Sequence, residues 1–125
     1  MGPVTSEVLD STILIDHLNG ISAATAAIAA LEAPAISVMT WIEVVAGLRD
    51  AVSERRGRQL LSTLPVIPLS EAVAEAAVVI RRARPLKLPD AVILATARHL
   101  GCPLVTRNTR DFPAEDPDVR VPYVL

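Results

Sequence analysis

The segment that most restricts what this chain can become runs from Leu88 to Phe112. It contains an acid at Asp90, apolar residues Val92, Ile93, Ala97 and Leu100 at helical spacing, then Gly101, the pair Leu104-Val105, and the polar turn Thr106-Arg107-Asn108-Thr109-Arg110-Asp111. The spacing predicts a helix opened by Asp90 and stopped by Gly101 as its C′ residue, followed by a short strand. A helix that precedes a strand of a parallel sheet runs antiparallel to it, so the start of the helix and the end of the strand share one edge. Asp90 and the turn carrying Asp111 are therefore expected at the edge where open α/β sheets bind ligands.

The same alternation runs through the rest of the chain. Val8-Leu9 reads as the end of a buried strand, Asp10-Ser11-Thr12 as the turn where it stops, and Ile13 to Leu18 as a short helix ended by Asn19-Gly20. Ser22 is expected to cap a helix from Ala23 to Ala33, broken by Pro34, with a brief strand at Ala35 to Val38 after it. Thr40-x-x-Glu43 has the spacing of a capping box opening a helix to about Ala51, and Ser53 is expected to cap Glu54 to Leu64. Val66-Ile67 suits a short strand. Ser70 then caps a helix with Glu71 at its positive end and Arg81, Arg82 and Arg84 at its negative end. Pro85 to Pro89 is a constrained connector, and Val119 to Val124 an edge strand limited by Pro122. Strands alternating with helices imply a three-layer α/β/α sandwich with a mainly parallel sheet, one domain over residues 1–125.

Composition narrows the function. Hydrophobic residues make up 51% of the chain, yet only Trp41, Phe112 and Tyr123 are aromatic, so Ala, Val, Ile and Leu must build the core. An apolar balance of this kind in a small domain points to a buried partner or oligomer interface. A net charge of -2 gives no global excess of Lys and Arg to displace counterions, which excludes a strong sequence-blind grip on nucleic acid. Cys102 is the single cysteine, so no intrachain disulfide forms. The longest apolar run, Ala23 to Leu31, is too short to span a bilayer, and Met1-Gly2-Pro3 lacks the basic start of a signal peptide. A cytoplasmic protein without a membrane partner is the expectation.

Four acids fall at strand or helix termini that this topology brings to one edge: Asp10, Glu43, Asp90 and Asp111. Two charges about 4 Å apart repel by about 4 kcal/mol at an effective dielectric near 20, so such a cluster needs protons or a hard cation. Mg²⁺ or Mn²⁺, which take oxygen ligands and retain waters, suit it. The chemistry that follows is phosphodiester hydrolysis by activated water, with no protein nucleophile.

Val8-Leu-Asp10-Ser-Thr12, Thr40-x-x-Glu43-x-x-x-Gly47, Leu88-Pro-Asp90-Ala-x-Ile-x-Ala-Thr-Ala97 and Leu104-Val-Thr106-x-Asn108-x-x-Asp111-Phe112 resemble, in order and spacing, the PIN domain, and more narrowly the VapC-type toxin ribonucleases of bacterial toxin-antitoxin pairs. The resemblance covers nearly the whole chain. It implies a Mg²⁺- or Mn²⁺-dependent endoribonuclease, a homodimer, and neutralisation by a cognate antitoxin. By motif match Asp10, Glu43 and Asp90 would be metal ligands, with Thr12, Thr106 and Asn108 in support. Many members carry an acid directly after Thr-Arg, where this chain has Asn108, so Asp111 is the candidate fourth acid and the choice between the two stays open. Whether one ion or two bind stays open with it.

Simpler explanations compete at each position. A capping-box glutamate is accounted for by about 1 kcal/mol of helix energetics, Asp90 by an N-cap, and Asp10 or Asp111 by turn formation. Their convergence on one edge is what favours a shared site. Asp16 points either to the rim of that site or to solvent. His17 and His99 are not expected to be catalytic; His99 and Cys102 lie at the far end from the acids, with too few ligands for zinc. Ser11 has no nucleophile-elbow setting. Arg107 and Arg110 flank the acid edge as candidate contacts to RNA phosphates, whereas Arg55, Arg56 and Arg58 read as a solvated face. The rival readings are a PIN-fold interaction module without strong catalysis and, more weakly, an aspartyl-phosphate phosphatase or receiver. The latter lacks the second acid after Asp10 and the lysine after the last core strand.

Overall fold

Strands this short are held by their neighbours, and the neighbours here are all parallel. In the computed structural model, which describes residues 4–125, β1 (Glu7–Leu9), β2 (Pro34–Ser37), β3 (Val66–Ile67), β4 (Leu104–Val105) and β5 (Val119–Arg120) form a five-stranded sheet in the order β3-β2-β1-β4-β5. Val8 lies opposite Ala35 and Leu104, Ile36 opposite Val66, and Leu104 opposite Val119. β1 is thus central, and Asp10 leaves from the middle of the C-terminal edge.

Residue alternation along the strands then decides the layers. On one face Val8 and Leu104 join a core with Val73, Ala77 and Ile80 of α5 (Glu71–Ala83), Val92, Ile93 and Ala97 of α6 (Leu88–Leu100), and Phe112. On the other, Leu9, Ile36 and Val105 join Ile13 and Leu14 of α1 (Ser11–Leu18), Ala24 of α2 (Ser22–Ala29), Val44 of α3 (Val38–Ala46) and Leu61 of α4 (Ala51–Leu61). Burial on both faces is why the central strands carry the apolar pairs Val8-Leu9, Ala35-Ile36 and Leu104-Val105. The α/β/α sandwich expected from the sequence is the fold.

Several boundaries differ from expectation for identifiable reasons. Ser37, not Thr40, caps α3: its hydroxyl accepts from the Met39 amide at 3.0 Å, so the helix starts as soon as β2 ends. The capping box at Thr40-x-x-Glu43 is therefore not formed, and the Thr40 hydroxyl lies buried without a hydrogen-bond partner. α3 stops at Ala46, well before Ala51, and Asp50 rather than Ser53 caps α4. The Asp50 carboxylate accepts from the Ser53 amide at 2.8 Å and from its hydroxyl at 2.9 Å, which adds a turn at the start.

α2 begins behind Ile21 with no side-chain cap from Ser22, and ends at Ala29, four residues short of the expected Ala33. β5 stops at Arg120, ahead of Pro122. α5 keeps its Ser70 cap and Gly101 takes φ +69° behind α6, both as expected. No helix among the described residues is long and apolar enough to cross a membrane. Met1-Gly2-Pro3, on which the absence of a signal peptide was argued, lies outside the described residues.

Candidate active site

Asp10 follows β1 directly and does two things. Its Oδ1 accepts from the Ser11 amide at 2.9 Å and caps α1, while Oδ2 accepts from the hydroxyls of Thr12 at 2.9 Å and Thr106 at 2.6 Å. Where turn formation was the simpler expectation, one oxygen is taken up by a helix cap, and the other is left to be explained. Those two threonines come from opposite ends of the chain and fix the carboxylate at the sheet edge, where it is 2% exposed.

Glu43 stands in the second turn of α3, clear of any capping duty. Its Oε1 is buried and has no hydrogen-bond partner. Burial pushes its carboxyl above the usual range; hydrogen bonding from Ser11 opposes this and the Asp10 charge adds to it. Asp90 is the third residue of α6, behind Lys87 at the N-cap, so it is not a cap either. Its carboxyl is pushed up to about 6, by burial first, then by the charges of Asp10, Asp111 and Glu43, and by a hydrogen bond shared with Asp111. Mutual perturbation of this kind is the electrostatic signature of a functional cluster.

All four acids, with Thr12, Lys87 and Asn108, line one pocket of about 250 Å³. Asn108 and Asp111 occupy it together. The Asn108 Nδ2 donates to Asp111 Oδ2 at 2.9 Å, and the Asp111 amide donates back to Asn108 Oδ1 at 3.3 Å. Phe112, fully buried in the α5/α6 core, anchors the loop just after them.

The arginines of this loop divide. Arg107, expected at RNA phosphates, has its guanidinium on Asp16: Nε donates to Oδ2 and Nη2 to Oδ1, the latter at 2.9 Å. Tyr123 donates to the same Asp16 Oδ2 at 2.7 Å. Asp16 is buried on α1 and outside the acid pocket, and its carboxyl is held below the usual range by Arg107, against burial. The Tyr123 hydroxyl is pushed up to about 12, by burial first and then by Asp16. Arg110 is exposed in the loop, as a solvent-facing contact requires.

The donor set fits a hard divalent cation. Oxygen atoms alone supply the charge, one of them an unpartnered buried carboxylate oxygen, and no His or Cys lines the pocket. Among the described residues no three Asp, Glu, His or Cys side chains are grouped closely enough to hold an ion by themselves. His17 instead shares a hydrogen bond with Thr25 at 2.8 Å, and His99 and Cys102 lie at the opposite end of α6.

A model of the PIN domain matches residues 8–114. The chain belongs to the PIN domain family. PIN domains are nucleases generally. A chain from a toxin-antitoxin complex of Klebsiella pneumoniae is 44% identical, with 96% of this chain and 100% of that chain covered at a TM-score of 0.89. FitAcB from Neisseria gonorrhoeae matches at 24% identity, 93% and 97% coverage and a TM-score of 0.76. VapBC2 from Rickettsia felis, bound to a fragment of promoter DNA, matches at 18% identity, 97% and 99% coverage and 0.72, a likeness of fold alone. No curated protein sequence matches the chain.

Two features of this PIN domain escape sequence reasoning. Lys87 is the one basic residue lining the acid pocket. Its place three residues before Asp90, at the start of the same helix, was the available signal. The Asp16 partners Arg107 and Tyr123 lie 91 and 107 residues away, and nothing local announces them.

Proposed function

We propose that this PIN domain is a Mg²⁺- or Mn²⁺-dependent endoribonuclease, the toxin of a VapBC-type toxin-antitoxin pair. In this reading residues 1–125 form one domain that works in the cytoplasm as a homodimer and is neutralised by a cognate antitoxin. One observation carries the catalytic part: four carboxylates share a pocket in which Glu43 Oε1 has no protein partner and Asp90 is pushed up to about 6. Deprotonated carboxylates in that arrangement are stable only with positive charge among them. The relative solved in a toxin-antitoxin complex, 44% identical to this chain, supports the partner.

In this mechanism Asp10, Glu43 and Asp90, with Asp111, would hold a divalent ion. Bound there, a divalent ion supplies an activated water and neutralises charge on the phosphoryl oxygens. The Thr12 and Thr106 hydroxyls orient Asp10, and Asn108 orients Asp111. Lys87 and Arg110 meet phosphates of the incoming RNA. Such a hydrolysis would form one bond from water oxygen to phosphorus, break the phosphorus–oxygen bond to ribose and leave a proton from the water on the departing oxygen, with no covalent enzyme intermediate.

The deciding experiment compares wild type with Asp90→Asn. The variant is expected to fold, judged by circular dichroism, and to lose Mg²⁺- or Mn²⁺-dependent RNA cleavage by at least about 100-fold; a variant that cuts normally removes Asp90 from the reaction. Asn108, where many members carry an acid, favours a second reading, a PIN-fold interaction module. That module would gain no thermal stability from Mg²⁺ or Mn²⁺.

A further inference from the structure

Asp16 spends a buried carboxylate outside the acid pocket, which needs a reason. Thr12 and Asp16 are four residues apart on α1 and share one helical face. Both reach the loop after β4. The Thr12 hydroxyl accepts from the Arg107 amide at 3.2 Å, and the Asp16 carboxylate takes the Arg107 guanidinium through both of its oxygens. Arg107 is therefore held at its backbone and at the tip of its side chain. On either side of it stand the groups that shape the pocket: Thr106, which donates to Asp10, and Asn108, whose amide donates to the Thr106 hydroxyl at 3.0 Å and whose side chain holds Asp111.

We propose that Asp16 is a positioning residue for the cleavage assigned above: through Arg107, and with Tyr123 drawn in from the C-terminal segment, it fixes the loop that carries Asn108 and Asp111 over the acid pocket. The inference rests on the proposed nuclease reading and adds a role for two residues that do not touch substrate. It also separates the loop arginines by task, since Arg107 is committed to the fold and Arg110 is left to meet RNA. A fork-shaped guanidinium suits this use, because two parallel hydrogen bonds fix direction as well as distance.

Asp16→Asn, Arg107→Ala and the milder Tyr123→Phe are compared with wild type in two assays. Amide hydrogen exchange over residues 106–112 needs no activity, and all three variants are expected to exchange faster there while β1 and α6 stay protected. In steady-state cleavage, Asp16→Asn and Arg107→Ala are each expected to lower kcat at least tenfold with KM for RNA changed less than threefold, and the double variant to be no worse than either single. A raised KM in Arg107→Ala with Asp16→Asn unaffected would overturn the proposal, since Arg107 would then be binding RNA. Unchanged loop exchange in all three would overturn it as well. If wild type itself shows neither metal-dependent cleavage nor metal-dependent stabilisation, the nuclease reading fails, while the exchange data still decide whether Asp16 holds the loop.

Discussion

Asp90 is the residue on which the charge of the pocket acts most openly. With its carboxyl raised from 3.8 to about 6, the native chain holds that proton more tightly than the unfolded chain does. The stability this contributes is complete below pH 3.8 and is lost as pH rises through about 6. Glu43 is raised too and adds in the same direction. Asp16 and Asp116 are lowered and act oppositely, their contribution disappearing as pH falls, so comparing Asp90→Asn with wild type isolates the one term. Two pKa units set a ceiling of about 3 kcal/mol, which solvent in the open pocket reduces to roughly 1–2. Urea melts without metal should therefore show the Asn variant gaining on wild type from pH 4 to 6 and ahead of it at pH 7, with saturating Mn²⁺ stabilising only wild type. Equal curves at all pH values would mean that the four acids do not feel one another. Thr106→Val removes the 2.6 Å bond to Asp10 and should cost about 1.5–3 kcal/mol in the same melts.

At the level of elements, what the sequence could announce was direction and period. Ser70 before Glu71 and Gly101 after Leu100 are local signals, and the start of α5 and the end of α6 follow them, whereas α6 begins at Leu88 and not at Asp90. Gly101 has open space around a would-be Cβ, so Gly101→Ala isolates the left-handed backbone penalty of about 1–2 kcal/mol. The melting temperature should drop while kcat holds, because this end of α6 is remote from the acids; an unchanged melting temperature would mean that the turn relaxes at no cost. The starts of α3 and α4 were not legible. In each case two cap-competent residues stand three apart, Ser37 with Thr40 and Asp50 with Ser53, and the earlier one wins because a longer helix satisfies more backbone. Losing the capping box also changed the standing of Glu43, from a residue explained by helix energetics to one that is not. The four acids were legible because chain direction alone assigns them an edge, whereas Lys87 looked like connector and the Asp16 clamp depends on long-range packing.

Across the whole molecule, a net charge of -2 means that the RNA of the proposed reaction would have only a few local cations to hold it. The log-log dependence of RNA binding on salt should be shallow, with a slope of magnitude below about 2, and Lys87→Ala should flatten it by roughly 0.7 with the metal-dependent stabilisation intact. A slope unchanged by the substitution would remove Lys87 from the RNA path. Sedimentation at micromolar concentration should give a dimer; a monomer would count against the homodimer alone. The centre depends on groups that are made far apart in time. Thr106 donates to Asp10 across 96 residues, and β1 lies between β2 and β4, so its second neighbour is among the later strands to appear. A ribosome adds about 5–20 residues each second, N-terminus first. For several seconds the emerging polypeptide holds Asp10 and Glu43 with nothing to complete them. Whatever chemistry the four acids share must therefore wait until the last of them has been made, so none of it can begin on a growing polypeptide that still lacks Asp111.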